Sequence, residues 1–290
     1  MSSAVAGVVV VHFGDPEPTL RCIDSVVQDP SAVVRRVVVV DNAANLDPDL
    51  LDSSVTLLSR PSNPGYGDSA NAGLELVDRD RTCSLYVVLN NDSVIRPGFL
   101  AAAASALEVG VGAAGGPICS TIDGPSLWYA GGGINFLTGT VWQRKSAAAS
   151  RRRREVGFIP ATALTFSPVA WREVGGFDPR FFLYNEDLDL CLRLRRAGWR
   201  LVFSPDMCAG HDLGGTTGSD EFSPLYLENI TGTRILPFKS RPYRLYLAVI
   251  HTVYNFFRIL GLGLLRGPGG GPRMLAVARG HARTLRTVFR

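Results

Sequence analysis

The chain has 290 residues, 46% hydrophobic and 19% charged, which suits one sizeable globular domain with or without an appendage and excludes a broadly disordered chain. Its five cysteines (Cys22, Cys83, Cys119, Cys191 and Cys208) form no C-x-x-C pair, so no zinc or disulfide framework is suggested and reduced, buried thiols in a cytosolic protein are expected. The net charge of +4 is unevenly spread: residues 1–228 hold 19 basic and 26 acidic side chains (−7), while residues 229–290 hold ten Arg, one Lys and no acid (+11), a tail that calls for a polyanionic neighbour.

Residues 4–13 are apolar with no Lys or Arg before them, and read as a first buried strand rather than a signal peptide. Within them, residues 7–12 form a β-branched run suited to a strand covered on both faces. Residues 18–27 follow with helical spacing (Leu20, Ile23, Val26, Val27). Strands are then expected at 36–40, ending at Asp41, at 55–58, and at 85–89, ending at Asn90-Asn91-Asp92, with a helix at 69–77 between the last two. This β-α-β alternation predicts a parallel sheet with covering helices and a ligand crevice beyond the strands' carboxyl ends, where Asp41 and Asn90 to Asp92 stand.

Residues 115–139 are Gly-rich and broken. The basic run at 151–154 reads as an exposed loop, with contact to a phosphorylated substrate as the competing function. Residues 187–196 have amphipathic helical spacing (Leu188, Cys191, Leu192, Arg195), with Gly198 just past the end as a left-handed cap. A strand at 201–203 and a turn at Pro205 follow, with His211 in a polar loop near Gly214 and Gly215. Residues 243–265 are apolar but interrupted by His251, Asn255 and Arg258, and no stretch of about 18 apolar residues occurs that would suit a spanning helix. A Gly-Pro linker at 267–272 leads to a basic amphipathic stretch at 273–290. This end reads either as lying on a membrane surface or as a helix packed on the body or on a partner subunit.

Five constellations carry chemistry. Asp41-Asn42 at a strand end can accept hydrogen bonds from a nucleoside, although Asp also commonly begins turns. Asn63-Pro64-Gly65-Tyr66-Gly67 through Asn71-Ala72-Gly73 lets backbone approach a ligand at a helix start, which favours anions. Asp92 opens into the crevice and suits Mg²⁺ or Mn²⁺ against a diphosphate, or simply a turn. Glu186, Asp187 and Asp189 cluster at a helix start after an aromatic run, more acid than capping requires. His211 becomes a plausible ligand if it lies near a carboxylate-bound metal.

Taken in order, these segments resemble the family 2 glycosyltransferases of the GT-A fold, most closely a rhamnosyltransferase-like subgroup, over residues 5–229 or so. The likeness rests on the strand at 8–12, Val40-Asp41-Asn42, the Asn63-Pro64-Gly65 to Gly73 segment, and Leu89 to Asp92. It continues through Gly175-Gly176-Phe177-Asp178, residues 181–198, Pro205 and His211. It implies a Rossmann-like, mostly parallel sheet with flanking helices in residues 1–228, followed by a basic helical extension in 229–290. The implied reaction is inverting transfer of a sugar from a nucleotide-diphosphate donor to an acceptor hydroxyl by metal-assisted direct displacement. Asp187, in its pair with Glu186, would be the catalytic base. Asp92 and His211 would hold Mn²⁺ or Mg²⁺. His12, Asp41, Asn63, Gly65, Asn71, Asn90 and Asn91 would shape the nucleotide-sugar pocket. Three positions depart from the family pattern: Asn90 opens the metal motif in place of Asp, His12-Phe13-Gly14 replaces a Tyr-Asn pair, and Glu228 replaces an Arg.

The donor nucleotide stays open among UDP, dTDP and GDP, and the acceptor among a glycan, a lipid-linked saccharide and a natural product. The expected setting is cytoplasmic, with the tail touching the inner face of the membrane; an oligomer is compatible with the sequence and nucleic acid is not expected as a partner. Two other functions compete. A nucleotidyltransferase would want a Gly-rich signature with a Lys near the first strand, where the chain has Gly14-Asp15-Pro16-Glu17. A non-catalytic nucleic-acid module would use Tyr243, Tyr246, Tyr254, Phe256 and Phe257 among the tail arginines, but the acidic body opposes it.

Overall fold

The computed structural model describes residues 4–122, 124–212, 223–265 and 270–289. The first half is β1 (Val5–His12), α1 (Pro16–Val27), β2 (Val33–Asp41), β3 (Val55–Ser59), α2 (Tyr66–Asp78) and β4 (Leu85–Asn90). Short pieces follow: β5 (Ser93–Ile95), α3 (Phe99–Ala106), β6 (Val111–Gly115), β7 (Ile118–Cys119), β8 (Leu127–Tyr129), β9 (Gly132–Asn135), β10 (Thr140–Gln143), α4 (Ala147–Ser150) and β11 (Arg154–Glu155). The chain then makes β12 (Ala163–Phe166), α5 (Pro168–Val174), α6 (Glu186–Arg196), β13 (Arg200–Phe203) and β14 (Ala209–His211), and ends in α7 (Pro224–Gly232), α8 (Arg241–Leu265) and α9 (Gly270–Phe289).

The main sheet has eight strands in the order β11-β13-β6-β12-β4-β1-β2-β3. β1 pairs in parallel with β2 and β4, and β2 with β3, while β12 runs against β4 and β6, and β11 against β13. The sheet is thus mostly parallel with helices on both faces, as expected. The valine runs explain why. In β1 and β2, Val9, Val11, Val38 and Val40 pack with Ala70, Leu74 and Val77 of α2, while Val8, Val10, Val37 and Val39 pack with Cys22, Ile23 and Val26 of α1. Period-two alternation with both faces covered needs apolar residues at every position, and each buried Val contributes roughly 1.5 kcal/mol or more. Gly73 lets α2 lie close on β1, since a Cβ there would stand 2.5 Å from Val9 Cγ1.

The broken region differs from expectation. Residues 115–139 include β7, β8 and β9; β7 and β8 join β5 and β14 in a four-stranded sheet, and β9 pairs with β10 as a hairpin. Arg151 to Arg153 are exposed as expected, but Arg154 is half-buried and begins a strand at the sheet edge. The linker expected at 267–272 is shorter, because residues 270–272 already belong to α9; residues 267–269, like Gly214 and Gly215, lie outside the described residues. Pro272 is tolerated there because the first turn of a helix leaves its N–H groups unpaired anyway.

The expected junction between Glu228 and Asn229 falls inside α7. Helix α9 packs on α7 through Leu227, Ala276 and Val277, and Glu228 pairs with Arg283 of α9 at 2.8 Å. Thr284 Oγ1 donates to Thr231 O (2.6 Å). No helix among the described residues is long and apolar enough to cross a membrane. All five cysteines are free thiols.

Candidate active site

The carboxyl ends of β1, β2 and β4 bring together several of the residues singled out above. His12 closes β1 and is fully buried; its Nδ1 lies 2.6 Å from Thr19 Oγ1 and its Nε2 2.9 Å from Asn45 Oδ1. Both ring nitrogens are therefore engaged, and the imidazole sets the positions of Asn45 and of the Asp41 carboxylate 3.9 Å away. Asp41 closes β2 and accepts from Ala43 N (2.9 Å), Ala44 N (2.7 Å) and Leu46 N (3.0 Å), folding the following loop around itself. Its neighbour Asn42 accepts from Ser69 Oγ (2.7 Å), tying the strand end to α2.

The glycine-rich segment is positioned by contact with the second half of the chain. Gly65, at φ 105°, starts α2 directly against residue 182: a Cβ there would lie 2.8 Å from Phe182 Cα, and Tyr66 N donates to Phe182 O (2.9 Å). Only glycine meets both demands. Asn63 accepts from Gly65 N (3.3 Å) in the turn before it. Asn71 is occupied elsewhere, since its amide accepts from Phe177 N (2.8 Å) and donates to Phe177 O (2.7 Å). Asn71 thus latches the Gly175-Gly176-Phe177 turn to α2.

After β4, Asn91 Nδ2 donates to Phe13 O and Thr19 Oγ1 (both 3.2 Å), and Asn90 N donates to Thr162 O (3.0 Å). Asp92 meets His211: Oδ1 and Nε2 are 3.0 Å apart, both residues are buried, and Asp212 N donates to Asp92 O. The β5–β14 pairing places Ser93 opposite His211 and so brings the two side chains together. The Trp128 ring lies 5.9 Å from the imidazole. A carboxylate oxygen beside an imidazole nitrogen suits Mn²⁺ or Mg²⁺ as part of a coordination sphere. Among the described residues no third His, Cys, Asp or Glu joins them. The buried His211 Nδ1 has no hydrogen-bond partner among those residues. The pair therefore fits a cation whose remaining ligands come from substrate oxygens and water.

At the start of α6, Glu186 is buried and Asp187 half-buried. Burial raises both carboxyl groups above the ordinary range, and the neighbouring Asp187 charge raises Glu186 further. The N–H groups of Leu188 (2.8 Å) and Ala161 (3.4 Å) oppose the rise at Asp187. Glu186 Oε2 has no hydrogen-bond partner among the described residues. Preceding residues Tyr184 and Asn185 both have left-handed φ values, 66° and 68°, unusual for residues with a Cβ. Contacts from α7 and beyond hold them: Asn185 Nδ2 donates to Thr233 Oγ1 (2.8 Å) and Ile230 O (3.3 Å), and Thr233 Oγ1 donates to Tyr184 O (3.2 Å).

One strip of backbone links the two acidic centres. Thr162 O receives Asn90 N, and Ala161 N reaches Asp187 Oδ2. Tyr66 OH donates to Ala161 O (2.9 Å), and burial together with the charges of Glu186, Asp187 and Asp92 holds its hydroxyl well above the usual range. Tyr66, Asn185 and Thr233 were not singled out from sequence. Tyr66 stood inside a quoted motif, but nothing local marks a contact 95 residues away.

The model of the family described as "Glycosyltransferase like family 2" matches residues 4–222. The N-acetylglucosaminyl-diphospho-decaprenol L-rhamnosyltransferase of Mycobacterium tuberculosis is 31% identical over 201 residues, 59% of this chain and 63% of that protein, so the chain spans less than two thirds of that relative's length. Rhamnosyltransferase WbbL of Escherichia coli is 55% identical over 38 residues, 13% of this chain and 14% of that protein. Among solved structures, GalNAc-T7 with UDP, GalNAc and Mn²⁺ superposes with a TM-score of 0.57 at 14% identity, covering 80% of this chain and 48% of that one. The mannosyltransferase PcManGT of Pyrobaculum calidifontis with GDP-Man and Mn²⁺ gives 0.55 at 13% identity, covering 98% and 86%. At these identities the structural likeness concerns the fold.

Proposed function

The chain belongs to the glycosyltransferase-like family 2, and on that premise we propose that it moves a sugar from a nucleotide-diphosphate donor to an acceptor hydroxyl, with inversion at the anomeric carbon. The observation that supports this reading is the strip at Ala161 and Thr162, which bonds Asp187 on one side and Asn90, two residues before Asp92, on the other, with Tyr66 feeling the charges of both acids. Asp187 takes the proton from the acceptor hydroxyl as that oxygen attacks the anomeric carbon; the bond to the donor phosphate oxygen breaks and the nucleoside diphosphate leaves. A base needs a proton affinity near working pH, and burial beside Glu186 supplies it. Asp41, His12 and Asn45 form the nucleoside end of the cleft, with Asn63, Gly65, Asn90 and Asn91 shaping the backbone around it. Bound at Asp92 and His211, Mn²⁺ or Mg²⁺ would neutralise charge on the departing diphosphate.

Asp187→Asn removes the base with little change of volume. The expected result is loss of transfer with donor binding retained, read by turnover and by nucleotide-sugar thermal shift. Normal turnover in that variant rejects the assignment.

A lipid-linked saccharide is the acceptor class this reading favours. The M. tuberculosis relative is described as acting on a diphospho-decaprenol saccharide. In this chain α8 exposes Leu245, Val249, Val253, Phe256 and Phe257 within a tail of charge +11. Residues 1–228 would do the chemistry while 229–290 rest on an anionic membrane face. Co-sedimentation with vesicles rich in anionic lipid, lost at high salt and in Val253→Glu/Phe257→Glu, is the expected outcome.

A further inference from the structure

Helix α6 presents Asp187, Cys191 and Arg195 one turn apart on a single face. Residues 157–161 run along that face in the opposite sense. Ala161 N reaches Asp187 Oδ2 and Ile159 N reaches Cys191 Sγ, both at 3.4 Å. A Cβ on Gly157 would stand 3.8 Å from Arg195 Nη1. Beyond Gly157 the strip opens into a hollow of about 280 Å³, eight residues along α6 from Asp187 and so about 12 Å away. Three guanidinium groups, Arg144, Arg154 and Arg195, line it, with Trp142 as a wall and Glu155 as its one acidic lining residue.

Arg154 is a fixed part of this wall. It lies over the Phe203 ring at 4.4 Å and donates to the carbonyls of Ala130, Ala149 and Arg152. Burial and, after it, the Arg144 charge disfavour its protonated state while Tyr129 opposes them, so two like charges face each other here. Among the described residues, neither the Arg144 nor the Arg195 guanidinium has a carboxylate or carbonyl partner; Arg144 only lies over Trp142, at 5.5 Å. Glycines leave the room: a side chain at Gly131 would strike the Arg154 guanidinium, and one at Gly157 would press Gly133 Cα at 3.0 Å. Two guanidiniums without an acceptor, beside a third held in place by backbone carbonyls, converge on an open hollow, an arrangement suited to a phosphate. From Trp142 the β9–β10 hairpin leads to exposed Phe136 and Leu137, whose carbonyls accept from Tyr243 and Tyr246 of α8. The hairpin therefore connects the hollow to α8.

We propose that the hollow between Arg144, Arg154 and Arg195 is the subsite for the phosphate or diphosphate of a phosphate-linked acceptor saccharide, whose hydroxyl is presented to Asp187. The assignment rests on the sugar-transfer reading and names the substrate class of that same site. The donor diphosphate is held elsewhere, at Asp92 and His211, so the two anions need separate positions.

Inorganic pyrophosphate titrated in EDTA by calorimetry, against the native chain and against Arg144→Gln, Arg195→Gln and the double variant, tests the hollow alone. Both side chains are exposed, so their loss spares the core. The expected weakening is about tenfold per guanidinium removed; identical curves overturn the site whether or not the chain transfers sugar. A second arm compares kcat/KM on a diphosphate-linked saccharide with that on an alkyl glycoside of the same sugar. The variants are expected to lose about 10- to 100-fold more on the former. Equal loss on both, with pyrophosphate binding weakened as expected, makes the hollow a free-anion site and overturns its assignment to the acceptor. Absence of turnover on either acceptor by the native chain overturns sugar transfer, while the pyrophosphate result still decides the hollow.

Discussion

The two acidic centres of the cleft solve opposite problems. Asp92 has an imidazole nitrogen 3.0 Å away, so its charge is shared with a donor that can also bind a cation. Glu186 and Asp187 stand next to each other at a helix start with no basic side chain paired to either among the described residues, and burial raises both. A carboxylate with a coordinating neighbour is suited to hold a metal, whereas carboxylates crowded together without a cation are suited to hold and release a proton near neutral pH. Residue type does not separate these roles; the neighbours do.

The sharpest way to break this contrast is to remove the charge on the metal side. Asp92→Asn should cut transfer by about 10²-fold or more and weaken the Mn²⁺-dependent part of donor affinity, whereas Asp187→Asn should leave that part intact. Equal metal dependence in the two variants would merge the two centres into one.

A smaller effect concerns pH. With Asp187 as the proposed base, transfer would need it ionised; its folded-state pKa is raised, so activity should fall as pH drops through a value well above the ordinary aspartate of about 4. The Asp187 charge raises Glu186 and not the reverse, and Glu186 still holds its proton where Asp187 titrates, so Glu186→Gln should leave that acidic limb in place. Stability reports the same residue. Because Glu186 binds its proton more tightly folded than unfolded, its cost is absent below the unfolded pKa and grows as pH rises toward the folded one. The Glu186→Gln protein should therefore match the native Tm at low pH, exceed it increasingly as pH rises from about 4.5, and keep a constant lead above about 8. A constant Tm difference across pH would show that the carboxyl does not titrate in the fold.

The smallest expected change is at Thr233→Val, which removes the hydroxyl shared by Tyr184 and Asn185. A loss of about 1 kcal/mol in stability and a several-fold fall in kcat at unchanged donor affinity would mark it as a positioning residue.

Much of the frame was legible from local pattern. The valine runs of β1 and β2, the helical spacing of α1 and α6, and the Glu186-Asp187 pair all stand within a few residues of one another, and periodicity reads such signals directly. What escaped depends on pairs distant in sequence. Asn71 was expected to shape the nucleotide pocket, yet its amide is taken by the backbone of Phe177, 106 residues on. The hollow gathers Arg144, Arg154 and Arg195 from a hairpin, an edge strand and the last turn of α6, so only Arg154 of the expected 151–154 run takes part. Of the two readings of the tail, packing on the body holds for α9, which lies on α7, while α8 exposes apolar side chains on one face.

The left-handed pair Tyr184 and Asn185 carries a practical consequence. The acids they aim lie in the middle of the chain, yet the hydroxyl and carbonyl that keep them bent come from Thr233 and Ile230. A version trimmed after residue 228 would retain every proposed catalytic side chain and lose the brace that orients them. It would also lose Ile235, Phe238 and Leu247 from the main core, so its expected failure is a destabilised and slow enzyme, easily misread as a missing acceptor.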